Sequence, residues 1–132
     1  MSKIVSAVLL IFSIAICCVA QNRDGDWLSG VWEGTGHQVD TGSTWTMRLT
    51  VSGDKYLVDY PSLKCGGNWR LVSMKLEEAT FIERLQYGVN NCVDDGNVFI
   101  ERLNSKQIGF RWSHSNSTEV IAYVILRRKL TK

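Results

Sequence analysis

Residues 44–51 read Thr44-Trp45-Thr46-Met47-Arg48-Leu49-Thr50-Val51, and this stretch decides the fold class. Apolar and polar side chains alternate throughout it, which is typical of a half-buried β-strand. A tight turn, Ser52-Gly53-Asp54, follows. The alternation then resumes over residues 56–60 and stops at Pro61, which lacks the amide hydrogen that a strand ladder needs. The two runs therefore predict a β-hairpin.

Similar runs recur along the chain, separated by clusters of Gly, Asn, Asp and Ser. They predict further strands over residues 30–38, 68–76, 79–87, 97–103, 107–113 and 119–128. Beyond residue 20 no apolar period of 3.6 is long enough for a helix, although residues 24–29 can form a single turn. In the fourth strand the apolar phase changes between Leu71 and Val72, which predicts a β-bulge.

Eight antiparallel strands joined by short links predict an up-and-down meander, and closing it into a barrel removes both exposed edges. We therefore predict an all-β fold, an eight-stranded antiparallel up-and-down barrel. Successive links of a meander alternate between the two ends of the barrel. The links 37–43, 61–67, 88–96 and 113–118 should share one end, the open end. The tight turns near Gly53, Glu78 and Ser105 should close the other.

The first 20 residues carry a basic Lys3, an apolar run and small residues at the end, the pattern of a signal peptide. The apolar run is shorter than the roughly 20 residues that a membrane anchor needs. We expect residues 21–132 to form a single barrel domain that is secreted, or periplasmic in a bacterium. The net charge of the whole chain is only +2, which gives no reason to expect nucleic acid as a partner or stable membrane insertion. We expect a monomer.

Cys17 and Cys18 would leave with the leader, so Cys65 and Cys92 remain in a compartment that permits oxidation. We predict that they form a disulfide, which closes a loop of about 26 residues and stabilises the fold by roughly 3 kcal/mol. Both lie in links assigned to the open end, so the pairing agrees with the meander. The alternative, a reactive thiol, needs an activating neighbour that the sequence does not show.

Gly30-Val31-Trp32 on the first strand and Arg127-Arg128 at the end of the last strand both fall at the closed end. This arrangement resembles the calycin superfamily, which comprises lipocalins, avidins and fatty-acid-binding proteins. The resemblance implies that an arginine lies across the Trp32 indole and seals the base of the barrel. Arg128 is the better match, because it shares parity with Ala122, Val124 and Leu126.

Several side chains are candidates for the barrel interior. Glycines at 34 and 36 share the parity of Trp32 and would leave room there. Glu83 is a candidate inward carboxylate that needs a partner: either a polar group of a ligand, or an arginine (Arg84, Arg102 or Arg111) on an outer face. The aromatic candidates could line a cavity or simply fill it. They are Trp45, Tyr56, Trp69, Phe81, Trp112 and Tyr123.

The sequence shows no catalytic motif and implies no cofactor, so we expect a binding protein and not an enzyme. The loop histidines and carboxylates do not have the spacing of a metal site. The preferred hypothesis is a secreted calycin-like protein that holds a small, mostly apolar molecule. Its selectivity would come from open-end links containing His37, Lys64, Asp94 and His114.

The alternative hypothesis is a secreted protein-binding module, for example a hydrolase inhibitor, with a filled core and the open-end loops as its contact surface. An interior cavity of about 300 Å³ or more would favour a small-molecule ligand, and a packed interior would favour a protein partner. Asn116-Ser117-Thr118 is an acceptor sequon for N-glycosylation if the source is eukaryotic.

Overall fold

A computed structural model describes residues 24–130, so the predicted leader lies outside the described residues. The chain forms a closed barrel in which each strand pairs antiparallel with the next and β8 returns to pair with β1. This confirms the predicted all-β, up-and-down, eight-stranded barrel, which is consistent with a calycin-like fold. The strands are β1 (Gly30–Gln38), β2 (Thr44–Ser52), β3 (Lys55–Tyr60), β4 (Cys65–Met74), β5 (Glu78–Tyr87), β6 (Asn97–Asn104), β7 (Gln107–Ser113) and β8 (Ala122–Arg128).

Two strand starts differ from the prediction by three residues, and the other strand boundaries differ by no more than two. β4 begins at Cys65 and not at residue 68, so this cysteine lies in a strand and not in a link. β8 begins at Ala122 and not at residue 119. The predicted bulge in β4 is confirmed, since the pairing with β5 shifts register between Leu71 and Ser73. The extra residue allows the sheet to bend as the barrel closes.

The base of the barrel is sealed by Trp32 and Arg128. The Arg128 guanidinium carbon lies 4.2 Å from the centroid of the Trp32 ring, an interaction worth about 0.5–2 kcal/mol. The guanidinium also donates hydrogen bonds to the carbonyl oxygens of Trp27 (3.0 Å) and Ser29. The Trp32 indole donates a hydrogen bond to the carbonyl of Leu28, 2.9 Å away. Leu28 ends the one-turn 3₁₀ helix Asp26–Leu28 that precedes β1. The predicted pair is therefore present, and it fastens the segment before β1 across the closed end.

The opposite end of the barrel carries the longer connections. These are residues 39–43, 61–64, 88–96 and 114–121, which join alternate strand pairs as the meander requires. The predicted disulfide is present between Cys65 and Cys92, with a Cα–Cα distance of 6.3 Å. It joins the first residue of β4 to the link between β5 and β6. Among residues 24–130, no helix is long and apolar enough to cross a membrane.

Candidate functional site

A cavity of about 240 Å³ opens at the disulfide end, and we call it the mouth pocket. Each of the four open-end links supplies at least one lining residue, and inward side chains of the strands form the rest of the lining. Its lining includes Gln38 at the end of β1 and residues of the links, which are Asp40, Leu63, Asn91, Cys92, Val93, His114 and Ile121. The inward strand residues that line it are Trp45, Tyr60, Glu83, Phe110, Trp112 and Ala122.

Glu83 is the buried acid of the mouth pocket. Its residue surface is 2% exposed, and its Oε2 accepts hydrogen bonds from the Tyr60 hydroxyl (2.5 Å) and the Trp69 indole nitrogen (2.9 Å). Burial raises the pKa of the Glu83 carboxyl, while hydrogen bonds from Tyr60, Trp69 and Trp112 oppose that rise. Glu83 therefore has neutral donors as partners, and none of the arginines that the sequence offered as alternatives.

Trp45 forms one aromatic wall of the mouth pocket. Its ring stands edge-on to Tyr60 at 5.3 Å and to Phe110 at 6.3 Å between centroids. It also lies over Gly36, its partner on β1, where an added Cβ would come within 2.6 Å of the ring. The space expected above Gly36 is therefore occupied by Trp45. The indole nitrogen of Trp45 is buried and has no hydrogen-bond partner in the described part of the chain.

Trp112 forms a second aromatic wall. It stands edge-on to His114, with ring centroids 5.0 Å apart, where β7 runs into its open-end link. The backbone carbonyl of His114 accepts hydrogen bonds from the Asn97 side chain (3.1 Å) and from the Ser117 amide (3.0 Å). These contacts fix the start of the link, so the imidazole is held at the edge of the mouth pocket.

The barrel below the mouth pocket is filled. Phe81 packs against Tyr56 at 4.7 Å and against Trp69 at 5.2 Å between ring centroids. Trp69 also stacks on Phe110 at 5.8 Å. Tyr56, Trp69 and Phe81 are therefore interior, as predicted, but they are packing residues outside the lining of the pocket. The interior is thus filled towards the closed end and open towards the disulfide.

The prediction for Tyr123 was wrong. Its side chain is 47% exposed, because it follows inward Ala122 and precedes inward Val124 in a strand whose side chains alternate between faces. On the outer wall it stacks on His37, with ring centroids 5.3 Å apart. His37 was also misplaced, since it lies in β1 as the cross-strand neighbour of Tyr123 and not in a link.

The other predicted loop residues divide into two groups. His114 lines the mouth pocket, whereas Lys64 and Asp94 lie in open-end links but outside its lining. The Asp94 carboxylate is used structurally, since it accepts hydrogen bonds from the backbone amides of Leu85 and Asp95, both at 2.8 Å. Lys64 occupies a left-handed conformation with φ of 56°, and its carbonyl accepts a hydrogen bond from the Asn91 side chain.

Sequence reasoning missed Tyr60 and Phe110 as site residues. Alternation could have found both, because Tyr60 has the parity of Val58 and Phe110 has the parity of Trp112. The hydrogen bond from Tyr60 to Glu83 was beyond sequence pattern, since it spans β3 to β5 and depends on the register of β4 between them.

Within residues 24–130, no three His, Cys, Asp or Glu side chains are grouped closely enough to hold a metal ion. No family model, curated protein or solved structure matches the chain. The functional argument therefore depends on the geometry of the mouth pocket.

Proposed function

We propose that this protein binds a compact, ring-bearing small molecule in the mouth pocket and does not transform it chemically. The observation that carries the proposal is a cavity of about 240 Å³ that receives walls from all four open-end links and reaches the buried Glu83. The cavity is smaller than the volume of about 300 Å³ that the sequence analysis set for a small-molecule ligand, but the interior at the open end is not packed either. Pockets for drug-sized ligands usually measure about 300–1,000 Å³. A smaller cavity between aromatic walls suits a molecule below that size, with one flat ring and few polar groups.

The ligand of this proposal is more polar than the sequence alone suggested. The sequence favoured a mostly apolar molecule, but the lining of the pocket contains the buried carboxyl of Glu83 and the side chains of Asp40 and His114. An apolar molecule would take water from these polar groups without replacing its hydrogen bonds. A ring with polar substituents is therefore the better fit.

Secretion and a monomeric state are part of the same proposal. The leader-like pattern of residues 1–20 supports export, and the Cys65–Cys92 disulfide is compatible with an oxidising compartment. A binding protein that works outside the cell gains from a bridge at the rim, because the bridge holds the links that shape the pocket.

The test is a fragment screen in which heteronuclear NMR spectra report binding through the indole N–H resonances of Trp45 and Trp112. The library should contain neutral, cationic and anionic single-ring compounds. Ile121→Trp places a large ring at the mouth pocket, whereas Val89→Trp adds the same ring to an exposed site in an open-end link outside the lining. We expect binders to shift both indole resonances in the wild type and in Val89→Trp, and to lose at least tenfold in affinity with Ile121→Trp.

The small-molecule proposal fails if no fragment shifts the two resonances, or if Ile121→Trp binds as well as the wild type. Native mass spectrometry of protein purified from its source adds a second measurement, since a tightly held natural ligand would remain on the protein.

A protein partner is the second candidate function, and the exposed apolar side chains at the open end favour it. Val39, Val89 and Val93 are each more than half exposed there, and the disulfide restrains the link that contains the last two. Restrained loops lose little entropy on binding, which suits an inhibitor. This function would be weakened by Val89→Trp and kept in Ile121→Trp, the reverse of the result expected for a pocket ligand.

A further inference from the structure

We propose that the mouth pocket selects a ring-bearing organic cation, whose N–H donors bind the Glu83 carboxylate. This inference rests on the proposed function and specifies the chemistry of its ligand. The ligand class is a single-ring primary amine or amidine.

The first argument concerns the charge of Glu83. The carboxyl is 2% exposed, and none of the ion pairs among the described residues includes it. A buried carboxylate is costly unless a cation pairs with it, so a ligand cation would gain an interaction that the protein itself leaves unfilled. The neutral donors Tyr60 and Trp69 already hold Oε2 in place, which keeps the carboxyl oriented before the ligand arrives.

The second argument concerns the walls and the surrounding charge. Rings of Trp45, Tyr60 and Trp112 line the pocket, and aromatic faces attract organic cations. Asp40 lies in the lining, and the charge of Asp94 is near enough to raise the pKa of Glu83. The local charge is therefore negative, which favours a cation over an anion of the same shape. His114 also lines the pocket, and a charged imidazole there would oppose this preference.

The experiment measures affinities of matched probes by isothermal titration calorimetry on the mature, disulfide-bonded protein. Tyramine supplies the ring and the ammonium; tyrosol replaces the ammonium by a hydroxyl, and 4-hydroxyphenylacetate replaces the aminomethyl end by a carboxylate. We expect tyramine to bind at least tenfold more tightly than tyrosol and 4-hydroxyphenylacetate, since neither can form the charge-assisted hydrogen bond to Glu83.

One variant tests the charge contact. Glu83→Gln should weaken tyramine at least tenfold and change the affinity for tyrosol far less, because a neutral hydroxyl loses no charge pairing.

Equal binding of tyramine and tyrosol, or no effect of Glu83→Gln on tyramine, overturns the inference of a cation site. If neutral or anionic fragments still shift the Trp45 and Trp112 resonances, the proposed function stands while this inference fails. If no fragment of any charge does so, both fail together.

Discussion

Glu83 is buried among neutral donors, and its proton affinity therefore couples pH to the stability of the barrel. Burial raises the pKa of this carboxyl above its ordinary value of 4.5. A raised pKa means that the folded chain holds the proton more tightly than the unfolded chain. The stabilising contribution is then full below the ordinary pKa and is lost as pH rises through the folded pKa.

Glu83→Gln removes this titration while keeping a side chain of the same shape. We expect the stability of wild type relative to Glu83→Gln to fall as pH rises above 4.5, by about 1.4 kcal/mol for each tenfold difference in proton affinity between the folded and unfolded chains. Urea denaturation of both proteins at a series of pH values measures it. The charged groups around Glu83 are present in both proteins: Asp94 nearby, with Asp40 and His114 in the same pocket. A difference that stays constant or grows with pH contradicts the expected coupling.

At the same scale, parity in a strand predicted which way most side chains point. Glu83 was placed inward because it shares a face with Phe81 and Leu85, and its burial agrees. Tyr123 was placed inward only because it is aromatic. Its neighbours Ala122 and Val124 point inward, so alternation places Tyr123 on the outer face. The partners of Glu83 depend on registers between strands, which no local pattern contains.

Strands β3, β4 and β5 meet where the Tyr87 side chain passes over Gly66 to reach Asp59. The Tyr87 hydroxyl donates to the Asp59 carboxylate, and this hydrogen bond raises the pKa of Tyr87 to about 12. A Cβ at Gly66 would lie 2.4 Å from the Tyr87 oxygen and 2.5 Å from the Val58 carbonyl oxygen. The absence of a side chain on β4 therefore allows β5 to be tied to β3.

Gly66→Ala should break this tie. We expect a loss of about 1–3 kcal/mol in the free energy of unfolding and a fall in the Tyr87 pKa towards 10, measured by denaturation and by ultraviolet titration of tyrosine. Gly109→Ala is the matched control, because an added Cβ in β7 would meet only Leu103, at 3.9 Å. Its effect should be within about 0.5 kcal/mol or slightly stabilising. Equal effects of the two substitutions would contradict the idea that Tyr87 and the Val58 carbonyl leave no room for a side chain at position 66.

The positions of the strands could be predicted from the sequence more accurately than the residues at which they begin and end. Alternation located all eight strands and the bulge near Leu71, because each depends on the local order of apolar and polar residues. The start of β4 was missed by three residues: Cys65-Gly66-Gly67 resembles a loop in composition, yet it is a paired strand. Its pairing is set by neighbours distant in sequence, which composition does not report.

The whole barrel divides into a sealed, filled lower part and an open upper part. Arg128 and Trp32 close the base, packed aromatic rings fill the middle, and the mouth pocket occupies the end where the four longer links meet. Stability and the proposed binding therefore depend on different halves of the interior. The disulfide is the exception, since it restrains the chain and also contributes Cys92 to the lining.

Cys65→Ser combined with Cys92→Ser should consequently impair both properties. The two cysteines are 27 residues apart. Without the cross-link the unfolded chain gains conformational entropy, which lowers the free energy of unfolding by about 3 kcal/mol, within the usual 2–5 kcal/mol for a native disulfide. We expect urea unfolding at a lower midpoint and, under conditions where the variant is still folded, weaker binding of the fragments that shift the Trp45 and Trp112 resonances. A reductant should lower the midpoint of the wild type and leave the variant unchanged. A bridge that only restrains the unfolded chain would lower the midpoint but preserve fragment affinity, so the two measurements together decide whether this disulfide also shapes the mouth pocket.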